Sequence, residues 1–302
     1  MDERTFTDAD GVEVFYRRWL PQGSPSAIVV IAHGMSEHSG RYDRVARILN
    51  GEGYAVFAPD HRAHGRTAAS TGVGIAGPNG VHGIVADLDQ LVEIARADVG
   101  DVPAVLFGHS MGAVVALMYS ERHGERLVGL ALSGLPGADE NTREMLGALQ
   151  GAVDGGMGDE PVEILGAFNG VFEPARTPFD WLSRDAAEVD LYIADPMCGA
   201  SHPMTYGFLA AFIAGALDAS EPSGIANLPK ALPILLMTGE SDPASQMAAG
   251  VRDVEKRLRD AGLDVEAIYY PDARHEILNE TNRDEVHADL VRWVRAHVAQ
   301  SS

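Results

Sequence analysis

The chain has 302 residues, of which 46% are hydrophobic and 22% charged, and a formal net charge of -21. Such a length and apolar share can bury a substantial core, which excludes overall disorder and fits one large domain or a domain with an insertion. The acidic excess repels nucleic-acid phosphates and an anionic membrane face, so neither is expected as a partner.

The first residues, Met1-Asp2-Glu3-Arg4-Thr5-Phe6, have neither the basic start nor the apolar stretch of a signal peptide. No apolar run approaches the roughly 20 residues that span a bilayer, so no stable membrane insertion is expected. The single cysteine, Cys198, permits no intrachain disulfide, which suits a reducing cytoplasm. Residues 12–19 mix β-branched and aromatic side chains and end in the turn cluster Leu20-Pro21-Gln22-Gly23, which predicts an early strand. Residues 27–32 form a short, almost wholly apolar run of the kind that is buried on both faces of a parallel sheet. The same pattern recurs at 55–58, 104–107, 127–132, 234–237 and 265–270. Between these runs lie helical patterns at 42–50, 84–98, 111–122, 248–261 and 283–298. Alternating strands and helices predict an α/β fold, an open and mostly parallel sheet with helices on both faces and a ligand site beyond the carboxyl ends of the strands.

The alternation lapses after residue 137. We expect residues 1–137 and 226–302 to form the core and 138–225 an inserted cap, or lid. Within it, residues 206–217 are apolar nearly all round, which suits either a helix covered on several sides or one facing a hydrophobic ligand.

Gly108-His109-Ser110-Met111-Gly112 joins one apolar run directly to a helical pattern. A Gly-x-Ser-x-Gly in that setting is a nucleophile elbow, in which the serine occupies a tight turn and the glycines make room for the backbone. A serine needs a base, and the chain order expected for this elbow is Ser, then Asp or Glu, then His. His275 follows the last apolar run on a loop, whereas His287 and His297 fall in the terminal helix and read as solvent-facing. The carboxylate that orients the base belongs at the end of another strand. Asp242 is favoured over its neighbour Glu240 because the Gly239-x-x-Asp242-Pro243 turn carries the later residue clear of the strand; Asp272 lies too near His275 in sequence. Oxyanion donors are expected from the backbone N–H of Met111, after the nucleophile, and of Met35, in the loop after the run at 27–32. His33, His38, His61, His64 and His109 lie on separate loops with no carboxylate or cysteine set at ligand spacing, so no metal is expected, and Cys198 reads as a small packed side chain.

His33-Gly34-Met35-Ser36-Glu37-His38-Ser39-Gly40-Arg41-Tyr42, the elbow, Asp60-His61-Arg62-Ala63-His64-Gly65-Arg66, Asp195-Pro196-Met197-Cys198-Gly199 and Ala273-Arg274-His275-Glu276-Ile277-Leu278-Asn279-Glu280 together resemble the monoacylglycerol lipase and bacterial lysophospholipase family of the α/β-hydrolase superfamily. The likeness spans nearly the whole chain. It implies hydrolysis of a single acyl chain from a glycerol-like alcohol through an acyl-enzyme on Ser110, a small-molecule acyl ester as partner, and no metal or organic cofactor. It also makes Glu37 and Arg41 candidates for the alcohol side of the pocket, the alternative being a salt-bridged pair that braces the oxyanion loop. Ala63 departs from the glycine common in the family. Rival functions are the same triad acting on another ester, a thioester or a peptide, and a non-catalytic protein that binds a hydrophobic ligand.

Overall fold

The computed structural model describes residues 1–300. In chain order its strands are β1 (Asp2–Thr7), β2 (Glu13–Trp19), β3 (Ala27–Ala32), β4 (Tyr54–Pro59), β5 (Ala104–His109), β6 (Gly129–Ser133), β7 (Pro161–Val162), β8 (Met204–Thr205), β9 (Ile234–Gly239) and β10 (Val265–Tyr270). The helices are α1 (Asp43–Gly51), α2 (Ala68–Thr71), α3 (Gly80–Val99), α4 (Met111–His123), α5 (Glu140–Ala152), α6 (Ala186–Ala194), α7 (Tyr206–Ser220), α8 (Pro222–Ile225), α9 (Ala249–Asp260) and α10 (Arg283–Gln300).

Eight strands form one sheet in the order β1-β2-β4-β3-β5-β6-β9-β10. β1 and β2 pair antiparallel with each other, as do β2 and β4; every later pair in the sheet is parallel. The apolar runs become strands buried at every position because helices cover both faces, except the edge strand β10, which is half-buried between its two ends. Along β3 the side chains alternate between them: Ile28, Val30 and Ala32 join the core under α3, α4 and α9, while Ala27, Val29 and Ile31 join the core under α1 and α10. β1 has no counterpart in the sequence reading. It is polar and exposed except at Phe6, and its backbone ladder to β2 makes it an edge strand where no apolar alternation marks one.

Two sequence expectations are corrected here. His287 is not solvent-facing: it is 4% exposed, and its Nε2 lies 3.1 Å from the Leu278 carbonyl. The inward face of α10 is wide enough to take in a histidine whose polar atom finds a backbone partner. His297 is half-buried rather than exposed, its Nδ1 lying 2.8 Å from the Trp293 carbonyl. Ala63 is buried with φ +73°. A left-handed conformation costs an L-residue about 1–2 kcal/mol. Ala63→Gly is therefore expected to raise the unfolding free energy by up to about 1 kcal/mol, the loss of strain being offset in part by the greater freedom of the unfolded glycine. Urea unfolding that shows the variant no more stable would refute it.

Between β6 and β9 the chain leaves the sheet for α5 to α8 and the antiparallel pair β7–β8. α7 packs on α3, α4 and α5, which explains an apolar surface on nearly every side, and Leu209, Phe212, Ile213 and Ala216 also line a cavity.

Candidate active site

Ser110 is the single residue between β5 and α4, with φ +53° and ψ -118°. This is a sparsely populated backbone for any residue but glycine, and such strain persists only where the surroundings over-determine it. Here two glycines do so. A Cβ at Gly108 would meet the Gly112 carbonyl oxygen at 2.3 Å, and one at Gly112 would meet that of Ala32 at 2.1 Å. The turn is held by the Ser110 amide, which donates to the Ser133 carbonyl at 2.8 Å.

His275 and Asp242 stand in loops after β10 and β9, and both are buried. His275 Nδ1 lies 3.0 Å from Asp242 Oδ2. The other Asp242 oxygen accepts from the Ala244 amide at 2.9 Å, and its carbonyl accepts from Ser245 Oγ at 3.1 Å and the Met247 amide at 2.8 Å. Its neighbour Glu240 turns outward to pair with Arg252 at 2.6 Å, and Asp272 is exposed. The structure thus brings His275 to Asp242 and to neither rival, and no hydrogen bond joins Ser110 to His275 among the described residues. Catalytic links of that kind commonly tighten only in the Michaelis complex.

Burial works to lower the His275 pKa, but the Asp242 carboxylate outweighs it and the group titrates above its ordinary value. A base acts only when neutral, so if His275 is the base, kcat/KM is expected to fall as pH drops through an inflection above about 6.5. In Asp242→Asn the largest raising charge is gone while burial remains, so the inflection should move down. An inflection unmoved by the substitution would separate His275 from the reaction.

Met35 and Met111 line one cavity with Ser110. Met111 opens α4, where the first N–H groups have no partner within the helix, and among the described residues neither methionine amide donates to a protein acceptor. The cavity holds about 260 Å³ and is walled mainly by apolar side chains from α7, the turn at Leu165–Phe172 and Trp181. Polar groups of Asp139, Asn141, Thr142 and Gln246 reach one part of its wall.

Residues 23–282 match the family described as serine aminopeptidase, S33. The monoacylglycerol lipase of Mycolicibacterium smegmatis is 33% identical over 305 residues, covering 98% of each chain. A thermostable carboxyl esterase from Bacillus coagulans, solved in complex with glycerol, shares 31% identity with a TM-score of 0.92 over 98% of each chain. A lipase solved in an open form shares 32% identity with a TM-score of 0.88, over 98% of this chain and 99% of that one. The chain belongs to the monoacylglycerol lipase family of α/β-hydrolases.

As a member of that family the chain is a carboxylic ester hydrolase. Within this lipase-family fold, Glu37 and Arg41 do not line the Ser110 cavity. They border a separate void of about 20 Å³ together with His109 and Glu276. Glu37 Oε1 accepts from the Gly34 amide at 2.5 Å and the Tyr42 hydroxyl at 2.7 Å, while Oε2 accepts from Arg41 at 2.7 Å. Arg41 also donates to both oxygens of Glu276, the residue after His275. One arginine therefore ties the loop bearing Met35 to the loop bearing His275. Burial alone would raise the Glu37 carboxyl; the Arg41 guanidinium reverses that and holds it below the ordinary range. Arg41→Met would leave two buried carboxylates uncompensated, so we expect a loss of about 3–5 kcal/mol in urea unfolding. A loss under about 1 kcal/mol, the scale of a surface pair, would show that the brace carries little.

The histidines also group more closely than their separate loops suggest. His38 Nε2 lies 2.9 Å from Asp195 Oδ2, and ligand atoms of His38, Asp195 and Cys198 fall within 4.8 Å of one another. No such set stands at ligand spacing in the sequence, and folding brings this one together across a gap of over 150 residues. The arrangement is poorly suited to a cation. The Gly40 amide donates to His38 Nδ1, the atom that would carry the proton if Nε2 held a metal, and the Arg41 guanidinium acts on the Cys198 thiol from close by. Burial pushes that thiol up, away from its reactive form.

Two residues escaped the sequence reading. Glu280 is fully buried and accepts from the Arg274 amide at 2.9 Å and from the Arg184 amide at 3.0 Å and Nε at 2.9 Å, which anchors the His275 loop to the segment between β6 and β9. Trp181 packs on His275 with ring centroids 4.9 Å apart. Glu280 ends a quoted motif, but nothing around Trp181 in the sequence marks it.

Proposed function

We propose that Ser110 is the nucleophile, His275 the base and Asp242 its orienting carboxylate in the hydrolysis of a single acyl chain from a monoacylglycerol-like or lysophospholipid-like ester. Ser110 attacks the ester carbonyl as His275 takes its proton; the oxyanion rests on the amides of Met35 and Met111; His275 returns the proton to the leaving alcohol. Water then cleaves the acyl-enzyme by the same route and releases the acid. The observation that carries this reading is an apolar cavity of about 260 Å³ with the strained serine in its wall, large enough for an acyl chain and too apolar for a charged peptide. The names of the relatives above support the substrate class.

In this reading residues 138–225 act as a cap over the cavity, supported by the contribution of α7 to its walls. A cytoplasmic location is in keeping with a lone buried cysteine, and no helix is long and apolar enough to cross a membrane among the described residues. The test is fatty-acid release from a medium-chain 1-monoacylglycerol with lysophosphatidylcholine in parallel. Release from the first in preference to the second supports a neutral glycerol headgroup. Release from neither, together with failure of a serine-directed phosphonate to label Ser110, would point to the non-catalytic binding reading.

A further inference from the structure

His33 follows the last residue of β3 and is fully buried. Both of its ring nitrogens are engaged. Nδ1 lies 2.7 Å from the Gly34 carbonyl oxygen, which can only accept, and Nε2 lies 2.9 Å from the His61 amide, which can only donate. These partners fix the tautomer: Nδ1 carries the proton and Nε2 the lone pair. The ring is also packed against those of His61 and His64, with centroids at 4.3 and 5.3 Å. Burial holds the imidazole below its ordinary pKa against the pull of Glu37 and Asp60, so at neutral pH it keeps both roles.

The carbonyl that His33 holds belongs to the peptide between Gly34 and Met35. That peptide is trans, so its N–H and C=O point in opposite directions, and gripping the Gly34 oxygen sends the Met35 N–H away from the imidazole. Met35 lines the Ser110 cavity, and its amide donates to no protein acceptor among the described residues. Gly34 itself passes close to the nucleophile, since a Cβ there would meet Ser110 Cβ at 3.3 Å. Its own amide is held by Glu37 Oε1 at 2.5 Å, which leaves the plane of the next peptide as the freedom that His33 removes. We propose that His33 is a positioning residue for the reaction: its Nδ1–H locks the Gly34–Met35 peptide so that the Met35 amide is aimed at the oxyanion before substrate arrives. Such a donor acts only if it is already in place when charge develops, which is why a rigid ring held at both nitrogens serves better than a flexible side chain. The inference rests on the proposed acyl transfer at Ser110 with Met35 as an oxyanion donor.

The experiment compares the wild type, His33→Leu and His33→Asn on 1-monooctanoylglycerol, with octaneboronic acid as an inhibitor whose tetrahedral adduct on the serine places an oxygen where the oxyanion forms. Leucine fills much of the space and donates nothing, whereas the asparagine NH₂ can stand near the place of Nδ1–H. In His33→Leu we expect kcat to fall about 10²-fold, the lower end for loss of one oxyanion donor, with KM within about 3-fold of the wild type and the boronate Ki raised in step with kcat. His33→Asn should recover most of that loss. A purely structural role would not tie the boronate Ki to kcat, because Ki does not depend on how much of the preparation is folded. A boronate Ki unmoved in His33→Leu, a loss confined to KM, or an asparagine variant as impaired as the leucine one overturns the proposal. Should the variants not fold, nitrogen-15 spectra of the wild-type imidazoles decide: the Nδ1–H form of His33 at pH 7 is expected, and an Nε2–H or charged ring overturns it. A wild type inert toward every ester removes this proposal together with the reading beneath it, and that outcome is distinct from an active wild type matched by its leucine variant.

Discussion

Ser110→Ala is expected to reduce kcat for monoacylglycerol hydrolysis by roughly 10⁶-fold, the scale seen when the nucleophile of a serine triad is removed. The substitution removes the proposed attacking atom, and no other hydroxyl in the cavity occupies the turn between β5 and α4. Binding of the acyl chain should survive, because the apolar wall is untouched. Stability should also change little. The backbone strain at φ +53° is borne by alanine as by serine, and no hydrogen bond of the Ser110 hydroxyl holds the fold among the described residues. Fatty-acid release and thermal unfolding measured side by side check both statements. Residual activity within about 100-fold of the wild type would move the nucleophile elsewhere, since the oxyanion donors and binding alone account for far less.

Asp242→Asn is expected to lower kcat by about 10⁴-fold with the fold intact. The physical cause is the tautomer. In the wild type Asp242 Oδ2 accepts from His275 Nδ1, which leaves Nε2 free for the role proposed for it. An asparagine can still accept from the Ala244 amide through one oxygen, which then directs its NH₂ at His275 Nδ1 and favours the opposite tautomer. Glu240→Gln serves as the control: its carboxylate pairs with Arg252 on the surface, so a change of more than a few fold is not expected. The reverse result, an active Asp242→Asn and a crippled Glu240→Gln, would reassign the acid.

Most of the sheet was legible because burial on both faces leaves an unmistakable mark. A strand covered by helices above and below has to be apolar at every position, as β3 is, and its bounds followed. β1 was missed for the converse reason, since an exposed edge strand is defined by its backbone partners. The serine was legible because its elbow is local: the residues that force the turn, Gly108 and Gly112, lie within two positions of it. His275 was found by chain order and by its place after a strand. The choice between Asp242 and Glu240 turned on two positions in one loop, and the observed geometry brings only Asp242 to the histidine.

What sequence alone determined, then, was whatever short-range sterics and periodicity dictate: the α/β class, the elbow, and the loops that present an acid and a histidine at the carboxyl edge of the sheet. Only the tertiary structure decided how distant loops meet. It placed Glu37 and Arg41 outside the Ser110 cavity, in an ion-pair brace between the Met35 and His275 loops. It seated His287 in the interior, joined His38 to Asp195 across more than 150 residues, and set Trp181 against His275. Each of these depends on side chains far apart in the chain sharing one desolvated space, where a charge or donor must find a partner or go without. No local pattern records that requirement, because it arises only when the chain is packed.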